Sequence, residues 1–190
     1  MGRIEIREET TLRIIEGLTK NICVLDEKHD SHQINFQQWE RNRAFLHGIA
    51  LVTMQQYIHQ TAKDYLQARN TRENLLTTFA YSEAIPTHEN ISYPQLIHAL
   101  ATFYTHQEDT YGRGHLKTLN GGTINTLIQS NLLNTEIFSN DIDGFPKENL
   151  FNRDTTILDG VLMMDNRGNL STIFKQLIEW KEELQKHIQQ

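Results

Sequence analysis

A chain of 190 residues, 38% hydrophobic and 22% charged, is long enough to bury a core and too apolar for a disordered polymer. Its formal net charge of −6 excludes a globally basic surface, so tight, charge-driven, nonspecific binding to nucleic acid is not expected, although a local basic cleft is compatible with it. The single cysteine, Cys23, excludes an intramolecular disulfide, and the sequence shows neither a secretion signal nor an apolar run of membrane length. The expectation is a cytoplasmic protein forming one domain over residues 1–190, with Cys23 buried in the apolar run Ile22-Cys23-Val24-Leu25.

Leu12, Ile15, Leu18, Ile22 and Leu25 recur every three or four residues, which predicts a helix from about Glu8 to Asp26. Lys28 to His32 reads as a polar break. A longer helical pattern follows through Phe36, Trp39, Leu46, Ile49, Val52, Ile58 and Tyr65 and stops near Arg69-Asn70, where Asn suits a helix end. Its middle, Gly48 to Met54, is almost wholly apolar, which puts this helix at the centre of a bundle. Thr71 to Asn74 starts a short helix that ends before Pro86. Ser92-Tyr93-Pro94 opens another, and Gly121-Gly122-Thr123 turns into a third. Ser139 to Pro146 is the clearest long loop. A short helix from Thr155 or Thr156 to Met164, the turn Asp165 to Asn169, and a last helix capped by Ser171 complete the chain. Strand signals are few, with no clean alternation and no Asn-Gly hairpin. The fold class is therefore all-α, a bundle of six or seven helices with one long central helix.

The segment Arg41-Asn42-Arg43-Ala44-Phe45-Leu46-His47-Gly48 carries the first candidate chemistry. On a regular helix Arg43 and His47, four apart, are neighbours, whereas Arg41 is offset from His47 by well over a right angle. A guanidinium can hold a phosphate and an imidazole can move a proton to or from a ribose hydroxyl, so the pair suits metal-independent RNA cleavage. A solvated polar stripe on a core helix explains the same residues equally well.

Arg41, Asn42, His47 and Gly48 resemble the motif of the HEPN superfamily, helical-bundle proteins that include RNase toxins and noncatalytic RNA or nucleotide binders. That resemblance implies that Arg41 contacts phosphate, Asn42 orients it and His47 takes part in cleavage. It also implies an active site where two protomers meet, and hence a homodimer, in a bacterial toxin or defence system. In many such families the motif sits late in the chain, whereas here it lies in the first quarter. The late segment Leu158 to Ile173 has Arg167, but Thr172 stands where a His is expected, and if that segment is the counterpart the protein is a noncatalytic member.

Nine histidines invite a metal reading, yet there is no His-Glu-x-x-His and no cysteine pair, and Asp26-Glu27-Lys28-His29 alone is not half of a di-iron site. No metal or cofactor is predicted. Glu179-Trp180-Lys181, with Asp141 or Asp143, has the letters of a metal-dependent nuclease, but a helix holds Glu179 and Lys181 about two hundred degrees apart. The loop Tyr111 to Lys117 gathers Arg113, His115 and Lys117 beside an aromatic ring, which with Arg43 makes it a candidate RNA contact. Two readings follow: a HEPN-like protein acting on RNA, or a noncatalytic helical interaction module that self-associates or binds a protein partner.

Overall fold

The computed structural model describes residues 2–86, 88–106, 121–133 and 153–188. The expected all-α architecture is what it shows. Among the described residues there are six α-helices: α1 (Gly2–Asp30), α2 (Phe36–Ala68), α3 (Tyr93–Thr105), α4 (Gly121–Gln129), α5 (Arg153–Met164) and α6 (Leu170–Ile188). A 3-10 helix (Leu75–Tyr81) and a two-stranded antiparallel hairpin, β1 (Ala84–Ile85) and β2 (His88–Ser92), lie between α2 and α3. No helix among the described residues is long and apolar enough to cross a membrane.

The 33-residue α2 is the central helix, packed against α1, α3, α5 and α6. Its start is fixed by a capping box, in which the Asn35 side chain accepts from the Gln38 N–H while the Asn35 N–H donates to the Gln38 side chain. Its apolar middle then buries Ala50, Leu51, Met54, Ile58 and Ala62. Asn70, at φ 49°, takes the left-handed conformation just past its end. Gly160 of α5 faces Leu100 of α3, where an added Cβ would come within 2.5 Å of Leu100 Cδ1. α6 closes the other side. Its Trp180 is buried and donates from Nε1 to the Thr78 carbonyl at 2.8 Å, and its Phe174 meets Tyr57 edge-on. Lys181 pairs with Glu8, and Arg7 with Asp64 at 2.9 Å, which ties α1 to α6 and α2.

The structure corrects several expectations. α1 runs through the supposed polar break to Asp30, because solvent-facing polar residues do not end a helix; His32 at φ 59° lies just beyond its end. Cys23 is exposed, since one residue of helix rotation, about 100°, separates it from the buried Ile22. The short helix begins at Leu75, after the Asn74 side chain accepts from the Leu76 N–H. Asn169, not Ser171, caps α6, accepting from the Ser171 and Thr172 N–H groups at 3.0 and 3.3 Å. The hairpin was not foreseen; it is two residues long on one side and has an irregular register.

Candidate functional site

Helical geometry on α2 separates the candidate residues Arg41, Asn42, Arg43 and His47. Arg43 and His47 face inward toward α5 and the Gly168 turn, while Arg41 and Asn42 are exposed. His47 is only 1% exposed. Its Nδ1 lies 2.8 Å from the Arg43 carbonyl, which as an acceptor fixes the proton on that nitrogen. Nε2 is buried beside the Gly168 backbone and makes no hydrogen bond of ordinary geometry. Burial lowers the His47 pKa below its ordinary value, against the opposing effect of the Arg43 carbonyl, so the ring is neutral at pH 7.

The charge of Arg43 is engaged inside the fold. Its Nε is 3.5 Å from Asp26 Oδ1, and its guanidinium carbon is 5.1 Å from the centre of the Trp39 ring. Trp39 donates from Nε1 to the same Asp26 oxygen at 2.7 Å. Asp26, Trp39 and Arg43 thus lock the end of α1 to the start of α2.

Arg43 and His47 wall a cavity of about 140 Å³ that Phe36 and Leu162 also line. Glu40 and Asp159 also line it, so with Asp26 beside Arg43 the surroundings hold more acid than base. Gly168, at φ 67°, brings the α5–α6 turn against this cavity, and a Cβ there would lie 3.6 Å from both Arg43 Nη2 and His47 Nε2. Phe36 and Leu162 are 57% and 42% exposed, an apolar rim around a hollow. Arg113, His115 and Lys117 lie outside the described residues, as do Asp141 and Asp143.

A second polar cluster joins α2 to α3. His98 Nδ1 is 3.0 Å from His59 Nε2 and 3.2 Å from Gln55 Nε2, and Gln55 also donates to Thr102 Oγ1 at 2.9 Å. Burial, with the neighbouring His59, lowers the His98 pKa to about 4. His59 and His98 are two of the nine histidines. The signal present was their spacing: Gln55 and His59 on α2, and His98 and Thr102 on α3, are each four apart. No group of three or more His, Cys, Asp or Glu suited to a metal occurs among the described residues. Glu179 is exposed and Lys181 is turned toward Glu8, so the Glu-x-Lys letters form no common site.

Compared with protein-family models, curated proteins and solved structures, the chain matches none of them.

Proposed function

We propose that this chain is a noncatalytic helical interaction module that self-associates through the patch around Phe36 and Leu162. The observation that carries this reading is the coincidence of knob and hollow: two exposed apolar side chains rim a 140 Å³ cavity in one patch. A two-fold interface needs a surface complementary to itself, and such a patch offers both halves. The state of His47 supports the same reading. A base must be reached by the proton it takes, and this Nε2 is sealed from solvent. Arg43, committed to Asp26 and Trp39, serves the fold without any substrate.

The test is the mass of the full chain in solution, by light scattering after size exclusion, for wild type, Phe36→Asp and Leu162→Asp. The expected result is twice the 22.2 kDa of one chain for wild type and a single chain for both variants. Asp at the first turn of α2 is compatible with the helix dipole, so Phe36→Asp perturbs the patch rather than the helix. A monomeric wild type at ~100 μM, a concentration well above the Kd of an ordinary specific dimer, would sink the reading.

The RNA reading has one observation in its favour: Arg43 and His47 do wall the same cavity, as their spacing requires. It is tested by incubating RNA pools in EDTA with wild type and His47→Ala of matched circular dichroism. Cleavage that disappears in the variant would replace the noncatalytic reading with a HEPN-like ribonuclease in which His47 acts, and would reopen roles for Arg41 and Asn42.

A further inference from the structure

His59 Nε2 on α2 and His98 Nδ1 on α3 face each other at 3.0 Å. Two ring nitrogens at that distance attract only while at least one of them is bare, whichever tautomers the rings adopt. One proton can lie between them. With both rings charged, N–H points at N–H and two positive charges stand together between half-buried side chains. The groups around the pair do little to offset this. Gln55, 3.2 Å from the same His98 nitrogen, is a carboxamide, and Phe79 of the 3-10 helix sets an apolar ring 5.9 Å from His98 between ring centres. The cleft beside His98 contains no Asp or Glu among its described lining residues; Asn90 and Ser92 of the hairpin and Thr126 of α4 are neutral. On the outer side His59 borders a hollow with Lys63 and Glu73, one charge of each sign. Burial, and for His98 also the neighbouring His59, holds both pKa values below the ordinary 6.5.

Three elements meet at this pair, and they are anchored unequally. α2 and α3 bury long apolar faces that include Leu51, Met54, Leu96 and Leu100. The 3-10 helix has seven residues, of which Thr78 and Phe79 are buried, and its hydrogen-bond geometry is the poorer kind. Phe79 lies between His98 and Trp180, whose ring centre is 6.4 Å away, and the Thr78 carbonyl accepts the Trp180 indole N–H. Water therefore reaches a charged His98 most easily by lifting Phe79, and Thr78 leaves Trp180 with it. At the far end of the same helix His187 stacks on Tyr81, 4.5 Å between ring centres. A proton on His187 would draw it to that ring rather than push it away, so a release in acid has its origin at the His59–His98 pair.

We propose that His59 and His98 form a two-proton clasp, which holds the 3-10 helix on the bundle while one nitrogen of the contact is bare and releases that helix locally when both rings are charged. The release precedes unfolding of the bundle, because α2 and α3 keep their own apolar contacts.

The experiment is hydrogen exchange of the full chain, followed by NMR from pH 7 to 4.5, with each rate divided by the intrinsic rate at that pH. The reporters are the Ser82 amide, which donates to the Phe79 carbonyl, and the Trp180 indole N–H. The amides of Leu51 and Met54 in α2 are the reference. Below pH 6.5 the open state takes up two protons that the closed state refuses. The open fraction at the reporters should therefore rise more than about tenfold per pH unit, ahead of the reference amides. His59→Gln and His98→Gln each leave one such proton and should limit the rise to about tenfold per pH unit, and the double variant should be flat. Reporters that open only together with Leu51 and Met54 would overturn the proposal, since the release would then be global. So would a wild-type rise of tenfold per pH unit or less, or an equal rise in the double variant. The first two comparisons use wild type alone and decide the matter even if a variant fails to fold.

Discussion

Gly48 lies so close to the Tyr104 ring that a Cβ on it would sit 2.2 Å from Cε2. The glycine after His47 is therefore accounted for by the crossing of α2 over α3, whatever chemistry its neighbour has. Gly48→Ala must push a largely buried aromatic ring aside. A loss of about 1–3 kcal/mol is expected, the usual cost of overpacking a core, read as a lower urea midpoint. An unchanged midpoint would mean that Tyr104 moves freely, and that the crossing does not depend on the glycine.

The Asp26–Trp39–Arg43 lock gives a second prediction. Arg43→Ala removes the ring contact and the ion pair, and Trp39→Phe removes the indole N–H that Asp26 accepts. Each should destabilise by about 1–2 kcal/mol, because Arg43 also covers apolar surface with its stem. The two effects should fall short of adding in the double variant, since the residues share one carboxylate. Strict additivity in a denaturation cycle would show that Arg43 and Trp39 do not act together.

Stability should fall in mild acid. His98 titrates near 4 in the fold against 6.5 for an ordinary histidine, and the His59 and His47 pKa values are also lowered, all by burial first. Below pH 6.5 the unfolded chain takes up protons that the folded chain refuses. The contribution of neutral His98 is thus complete above about 6.5 and is lost as pH drops toward 4. The side chains bonded to its ring, Gln55 and His59, carry no acid that would reverse the sign. Urea midpoints between pH 7 and 4.5 should decline, and His98→Gln should flatten part of that slope. A parallel slope in the variant would remove His98 from the account.

Cys23 faces solvent on α1. Folded protein should react with a thiol reagent at the rate of an exposed cysteine, without denaturant. Cys23→Ser should change stability by no more than about 0.5 kcal/mol, as surface substitutions generally do. Labelling that waits for unfolding would show that the thiol is covered, for instance within an assembly.

Much of the helical framework was legible because local rules act along the chain. The apolar middle of α2, the Asn70 stop, the Pro94 start of α3 and the Asp165 to Asn169 turn all depend on neighbours within a few residues. The spacing argument also paired Arg43 with His47 and offset Arg41 from His47, since periodicity alone fixes which side chains share a helix face. The Ser171 cap was misplaced because Asn169, two residues earlier, offers a better acceptor for the same N–H groups.

Burial and long-range company were beyond such rules. Cys23 sits in an apolar run, yet only the packing of α1 decides that Ile22 turns in and Cys23 out. Asp26 meets Arg43 across seventeen residues of chain, and Gln55 meets His98 across forty-three. By itself the sequence determined that the chain is helical, where its central helix runs and which motif residues share a face, because those are properties of neighbouring residues. Only the tertiary structure decided that His47 is buried, that Arg43 pairs with Asp26 and that His98 meets Gln55 and His59. Exposure and charge pairing depend on which distant segments come together, and helical periodicity is silent on that.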